Sequence, residues 1–241
     1  MKGPLVSVII PVYNGAKYIA EAIESVRMQN YDPIEIIIVD DGSTDDTPAI
    51  VRSFKDIRYI RQANQGVAGA RNTGIEKSRG ELIAFLDADD YWAANKLHIQ
   101  VDCLLKHPSI GYTLGRQRNF LESGTSRPFW LREEHLLEEH TGFLPTLLIR
   151  RQILDKVGLF NTNFRISEDV EWFSRVKDAG IPMIVVPEVV LYRRIHDANL
   201  SYQSKAGNPQ LLRALRTSIH RKCAKEPTSA ADEGSNDNKA D

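Results

Sequence analysis

Residues 81–92 read ELIAFLDADDYW: an apolar run, Leu82–Leu86, ends in three carboxylates within four positions, Asp87, Asp89 and Asp90. Like charges this close repel one another, and partial burial adds a loss of hydration. Water, a helix start or a metal ion could make the crowding tolerable. In an extended chain the period of two puts Asp87 and Asp89 on one face, about 7 Å apart at their Cα atoms. Two such carboxylates can share a hard divalent cation. Mg2+ commonly takes one or two protein carboxylates and completes its shell with water and substrate phosphates. The small Ala88 between them lets another group approach the backbone. The alternative is structural: Asp89 or Asp90 could cap a helix around Asn95–His107.

Five other places hold groups that could do chemistry. Asp41, in Asp40-Asp41-Gly42-Ser43, could accept a hydrogen bond from a base N–H or a ribose hydroxyl. The same residues could form a tight turn, with Ser43 and Asp46 at capping-box spacing. Tyr13, beside Asn14 and Gly15, could lie flat against a base or be an ordinary exposed tyrosine. Arg71, in the glycine-rich NQGVAGARNTG, could reach a phosphate or sit on a solvated face. That segment is not GxGxxG, and its small residues predict close helix packing. Glu168-Asp169 follows Ser167 at a predicted helix start, where acids complement the helix dipole or one of them acts as a general base. A helix N-terminus lowers a carboxylate's pKa, so a base there needs desolvation or a nearby phosphate to raise it again. His196, in YRRIHDANLSY, is either structural or, with Arg193, Arg194, Asn199 and Ser201 around it, part of an anion site.

The elements that must position these groups follow from hydrophobic periodicity. Leu5–Tyr13, Ile34–Asp41 and Glu81–Asp89 are continuous apolar runs, the mark of strands buried on both faces; Ile57–Gln62 is a weaker strand. Helical patterns lie between them: Ile19, Ile23 and Val26 within Ala16–Gln29, then Ile50, Val51 and Phe54 behind Pro48 in a first turn, then Gly66–Ser78 with Gly80 as its stop. Strand and helix in alternation imply right-handed crossovers and a doubly wound, mostly parallel α/β sheet flanked by helices. Such sheets bind ligands at the carboxyl ends of their strands. Tyr13, Asp41 and Asp87/Asp89 all fall at those ends, so three strands deliver polar groups to one rim.

The second half is less regular. It predicts a helix at Leu97–Leu105, a strand within Gly111–Gly124, and a loop or lid over residues 125–143 that includes Trp130. Further on come a short helix closed by Gly158, a helix from Ser167 to Gly180, and one or two strands in Ile181–Arg194. A basic amphipathic helix follows around Leu211, Leu212 and Leu215, and a polar tail begins at Lys225 that cannot bury a core.

Acids and bases nearly cancel, at a net charge of −1, which argues against a non-specific nucleic-acid binder. Cys103 and Cys223 show neither CxxC spacing nor a disulfide framework, as expected of thiols in a reducing compartment. Pro4 and Pro11 interrupt the short N-terminal apolar run, and no run approaches the roughly 20 residues of a membrane span. The expectation is a cytoplasmic protein. The basic segment Arg213–Lys222 is either a solvated helix face or a peripheral membrane contact at the inner face of the membrane.

Five segments in order, VSVIIPVYNGAKYIAEAIESVRMQ, IIIVDDGSTDDT, NQGVAGARNTGI, IAFLDADD and SEDVEWFSRV, with a looser YRRIHDANLS, resemble the inverting family-2 glycosyltransferases of the GT-A fold over roughly residues 5–202. The resemblance implies a single Rossmann-like domain. Residues 1–110 form its nucleotide-sugar-binding half and 111–204 its acceptor-binding and catalytic half; a C-terminal helix over 205–224 and a disordered tail over 225–241 follow. It further implies that Pro11, Tyr13 and Asp41 hold the nucleobase and ribose, and that Arg71 lies near the nucleotide. Asp87-Ala88-Asp89 matches the DxD motif, with Asp89 the chief ligand of Mg2+ or Mn2+, Asp87 beside it and His196 a possible further ligand. Asp169 matches the base that deprotonates the acceptor hydroxyl. The implied donor is a nucleoside-diphosphate sugar, in the first instance a UDP-sugar. The acceptor is a saccharide or lipid-linked hydroxyl, as in polysaccharide biosynthesis. The competing readings are a metal-dependent nucleotidyltransferase and a sugar-nucleotide-binding module without turnover.

Overall fold

A computed structural model describes residues 3–128, 131–199 and 209–223. Trp130, Ser201 and the tail 225–241 lie outside the described residues, as do the side chains of Leu211, Leu215, Lys222 and Cys223. Along the chain run β1 (Val6–Val12), α1 (Ile19–Arg27), β2 (Ile34–Asp40), α2 (Thr47–Arg52), β3 (Ile57–Arg61), α3 (Gly66–Lys77), β4 (Leu82–Phe85), β5 (Tyr91–Trp92), α4 (Lys96–Lys106) and β6 (Tyr112–Leu121). Then come α5 (Glu134–Leu137), β7 (Glu139–Thr141), a 3₁₀ turn (Leu144–Thr146), β8 (Leu148–Arg150), α6 (Arg151–Val157), α7 (Glu168–Asp178), β9 (Met183–Ile195) and α8 (Pro209–Cys223).

The strands form one sheet in the order β3-β2-β1-β4-β8-β6-β9-β5, with β7 paired to β6. β3, β2, β1 and β4 are mutually parallel; β8 is antiparallel to both β4 and β6, while β6 and β9 run parallel. The sheet is therefore wound as expected through residue 85 and mixed beyond it. Chain order reverses between β1 and β4, the switch point at which a crevice opens past the strand ends. One face packs Val8, Ile10 and Val12 against Ile23, Val26, Leu97 and Val101 of α1 and α4. The other packs Ile9, Ile83 and Phe85 against Ile75, Leu154 and Trp172 of α3, α6 and α7. Continuous apolar strands are the consequence of this two-sided burial.

Local findings amend the sequence reading. Gly80 does not end α3: Ser78 is the C-cap, and a Cβ on Gly80 would lie 2.6 Å from the Ser7 backbone nitrogen, so glycine there permits chain contact. The Ser43/Asp46 capping box is absent. Instead Asp45 Oδ1 accepts the Thr47 amide at 3.0 Å and starts α2. Neither Asp89 nor Asp90 caps α4, whose N-cap is Asn95. Residues 125–143 are not all loop, since α5 and β7 fall within them. Gly158 and Gly180 end α6 and α7 at positive φ, as read.

Candidate active site

The loops after β1 and β2 are stitched together. Asn14, held at φ 51°, accepts the Thr44 amide at 2.8 Å on Oδ1 and donates its own amide to Ser43 Oγ at 2.9 Å. Gly15 N–H donates to Thr47 Oγ1 and Ala16 N–H to Asp45 Oδ2. Beneath this rim Asp40 is fully buried, accepting the Ser43 amide at 2.7 Å and the Tyr59 hydroxyl at 2.5 Å. Burial, with this carboxylate bond, pushes the Tyr59 hydroxyl up to about 12. The rim presents Tyr13, 54% exposed, above the buried Pro11. Asp41 is buried and accepts three hydrogen bonds, from Gln62 Nε2 (2.8 Å), the Gln65 amide (2.9 Å) and the Gly66 amide (2.8 Å). It thereby caps α3 from a neighbouring strand, with one of a carboxylate's roughly four acceptor positions to spare.

The three carboxylates after β4 are not extended. Asp87 to Asp90 form a turn closed by the Asp90 amide on the Asp87 carbonyl at 3.1 Å, so the alternation argument for Asp87 and Asp89 does not hold. Each acid has its own partner instead. Asp87 Oδ1 takes a hydrogen bond from Arg71 Nη2 at 2.8 Å. Asp89 Oδ2 accepts from Asn199 Nδ2 at 2.8 Å and faces His196 Nε2 at 3.0 Å. Asp90 Oδ1 accepts the Arg194 amide at 2.8 Å. Burial pushes the Asp87 carboxyl above the usual range; Arg71 opposes this and Asp89 adds to it. Asp90 is pushed well above the usual range, by burial first and then by Asp89 and Asp87.

Arg71 is buried rather than on a solvated face, and its second arm, Nη1, bonds Glu168 at the start of α7. It joins the turn after β4 to the helix that carries the Glu-Asp pair. The structure separates that pair. Glu168 is buried against Arg71, whereas Asp169 is half-buried and, among the described residues, accepts only its own neighbour's amide, Val170 N–H, at 2.8 Å. Burial raises the Glu168 carboxyl, Arg71 opposes this and Asp169 adds to it. Ser167 holds the N-cap position without a capping bond from its side chain. Its φ of 68° is left-handed, a conformation that costs a non-glycine residue roughly 1 kcal/mol and turns the chain into α7.

His196 and Asn199 sit in a turn of their own, the His196 amide donating to Asn199 Oδ1 at 2.7 Å. Tyr18 packs on the His196 ring, 4.7 Å between centroids. Asn199 as a partner of Asp89 and Glu168 as a partner of Arg71 were not read from sequence. The HDAN turn hinted at the first; the second joins residues 97 apart and left no local trace.

The donor set suits a hard cation that arrives with substrate. Asp89 Oδ1 and Asp87 Oδ2 carry no hydrogen bond among the described residues. Also among these residues, no group of three or more His, Cys, Asp or Glu could by itself cage a metal. Two carboxylate oxygens with phosphates completing the shell match Mg2+ or Mn2+.

Comparison with known proteins fits this geometry. The profile described as glycosyl transferase family 2 matches residues 7–167. The chain belongs to that family. The matched span contains Asp41, Arg71, Asp87 and Asp89, while Asp169 and His196 lie beyond it. An uncharacterized glycosyltransferase of Rickettsia typhi is 32% identical over 81% of this chain and 65% of its own length. The chain thus spans just under two thirds of that relative. The Escherichia coli UDP-Glc:alpha-D-GlcNAc-diphosphoundecaprenol beta-1,3-glucosyltransferase WfaP is 34% identical over 82% of this chain and 80% of its own. Staphylococcus aureus TarS in complex with UDP-GlcNAc superposes with a TM-score of 0.73 at 21% identity, over 92% of this chain and 66% of that one. The Pyrobaculum calidifontis mannosyltransferase PcManGT, in complex with GDP-Man and Mn2+, has a TM-score of 0.63 at 21% identity, over 97% and 77%. These likenesses establish the GT-A fold. Among the described residues no helix is long and apolar enough to cross a membrane.

Proposed function

We propose that this family member is an inverting, metal-assisted glycosyltransferase. It moves a sugar from a nucleoside-diphosphate sugar to an acceptor hydroxyl, with Asp169 as general base. The observation that carries the reading is the Arg71 bridge. One guanidinium ties Asp87, on the nucleotide side, to Glu168, beside Asp169, so the donor rim and the base helix share one rigid joint.

In this reading Tyr13 stacks on the base over Pro11, and Asp41 offers its remaining acceptor position to the base or ribose. Asp87 and Asp89 turn their unpaired oxygens toward the diphosphate, and Asn199 and His196 hold Asp89 in that orientation through its other oxygen. Bound Mg2+ or Mn2+ would neutralise the charge that grows on the departing nucleoside diphosphate. Asp169 takes the proton of the acceptor hydroxyl as that oxygen attacks the anomeric carbon from the face opposite the leaving group. The C–O bond to the diphosphate breaks, configuration inverts, and no covalent nucleophile is needed. Arg71 keeps Glu168 out of the base's place, and an acceptor seated over Asp169 would desolvate that carboxylate and strengthen it as a base.

A UDP-sugar is the favoured donor, because WfaP is named for UDP-Glc and TarS was solved with UDP-GlcNAc. WfaP's named acceptor is lipid-linked; such an acceptor here would put the reaction at the inner face of the membrane. The test is incubation of Asp169→Asn and wild type with UDP-sugars, Mn2+ and an acceptor panel. Wild type should release UDP, and the variant should lose turnover by about 10²–10⁴-fold with UDP affinity preserved. Retained turnover removes Asp169 from the role. Pyrophosphate exchange by wild type would replace the reading with nucleotidyl transfer, and binding without any release would make it a binding module.

A further inference from the structure

The C-terminal helix α8 has two unlike faces. Its inner face is anchored. Ala214 is fully buried, Ser218 Oγ donates to the Asp178 carboxylate at 3.0 Å, and Gln210 Oε1 accepts the amides of Arg165 and Ile166, each at 2.9 Å. Arg213 lays its guanidinium over the Phe164 ring at 5.2 Å. Among the described residues nothing covers the outer face. Leu212 and Ile219, two turns apart, are 57% and 59% exposed, and Arg213 and Arg216 beside them are exposed as well. Over its whole length the helix has four basic residues, Arg213, Arg216, Arg221 and Lys222, and no Asp or Glu.

We propose that this face docks onto an anionic lipid surface. An apolar stripe flanked by cations on a helix about 22 Å long is what an interfacial helix presents: the stripe enters the headgroup boundary while the cations meet lipid phosphates. The charge pattern decides against the other occupants. A second copy pairing through the same face would set arginine against arginine. Residues 224–241, which follow the helix, contain no large apolar side chain that could fill the stripe. The anchoring gives docking a consequence. Gln210 holds Arg165 and Ile166, the two residues before Ser167, so a helix lying on the bilayer brings the start of α7 and Asp169 toward that surface. The lipid contact goes beyond the transferase reading and does not depend on it, since it is measured without turnover.

The experiment is co-sedimentation of the full chain with vesicles of phosphatidylcholine, with and without phosphatidylglycerol, at low and high salt, and with UDP affinity followed in parallel. Binding to the phosphatidylglycerol vesicles is expected, weaker in high salt and absent from pure phosphatidylcholine. Arg216→Gln should weaken it about fivefold, and Leu212→Gln with Ile219→Gln at least about tenfold. None of these exposed changes should alter UDP affinity, so a loss of UDP binding would indict the fold or the transferase reading rather than the docking face. Equal binding to both vesicle types overturns the proposal. So does no binding, or binding that the Leu212/Ile219 pair leaves unchanged. A dimer in solution that this pair dissolves overturns it in favour of self-association.

Discussion

Replacing Arg71 by methionine isolates the joint on which the active-site reading rests. The guanidinium serves two acids, and their exposure apportions the loss. The Asp87 side chain is 36% exposed and that of Glu168 8%, so Asp87 regains water more readily once freed. Removing one partner of a buried pair costs about 3–5 kcal/mol, because the remaining charge stays in a poorly solvated place. Glu168 should account for most of it. With a urea slope of about 3 kcal/mol per molar, the unfolding midpoint of Arg71→Met should fall by about 1–1.7 M at pH 7. The pH dependence has a definite sign. Burial already raises the Glu168 carboxyl against the pull of Arg71, so the variant raises it further. A carboxyl whose folded pKa exceeds its unfolded one costs stability above that folded pKa, and the cost disappears as pH falls below the unfolded value. The deficit should therefore be largest at neutral pH and shrink toward the ordinary carboxylate range. Adding Glu168→Leu should restore at least half of it, since an apolar pair replaces a lone charge. A deficit under about 1 kcal/mol, or a double variant as unstable as the two single losses summed, would refute the reasoning.

Asp89→Asn should weaken UDP binding at least about tenfold when Mn2+ is present and leave metal-free binding nearly unchanged; calorimetry with an equal loss in both conditions removes Asp89 from the cation site. Gly74→Ala should destabilise by about 1–3 kcal/mol, because its Cβ would meet Ile9 Cγ2 at 2.3 Å, and an unshifted urea midpoint contradicts that close approach of α3 to β1. Lys96 is fully buried under the Trp92 ring, and burial holds its amine well below the ordinary lysine value. With the amine neutral when folded, the folded chain binds fewer protons than the unfolded chain between that lowered value and about pH 10, and stability should climb with pH over that window. Lys96→Met should lack the climb, so urea curves in which both proteins respond alike to pH would show that the amine stays charged when folded.

The parallel half of the fold was legible because its signals are local. Val6–Val12 and Ile34–Asp40 are buried on both faces and so read as unbroken apolar runs, and the rim at their ends follows from topology. The second half resisted for the opposite reason. The antiparallel strand β8 has three residues and β5 has two, too short for a period to register. The candidate site was legible as residues and not as geometry. Arg71, Asp41 and the acids of the turn could be named, but the second partner of Arg71 lies 97 residues away and those of Asp89 lie 107 and 110 away. One misreading came from a local rule overridden by a nearer competitor. Ser43 and Asp46 have capping-box spacing, yet Asp40, tied to Tyr59 from β3, takes the Ser43 amide first.

The crowding of Asp87, Asp89 and Asp90 resolves differently from what a metal-only account requires. A cation arriving with substrate cannot be what lets the free protein fold, because the acids must be tolerated before it arrives. The protein supplies that tolerance itself, through Arg71 for Asp87, Asn199 and His196 for Asp89, and the Arg194 amide for Asp90. Each partner engages one oxygen only. Asp90, buried with its bond to β9, fastens the turn to the far side of the sheet. Asp87 and Asp89 are held by one oxygen each and keep the other. In the proposed site the structural role and the binding role therefore divide within single carboxylates. Asp89→Asn should accordingly spare the fold: its side chain is 29% exposed, and an amide oxygen can still accept from Asn199. In the proposed site it removes the charge that the second oxygen would offer to a cation.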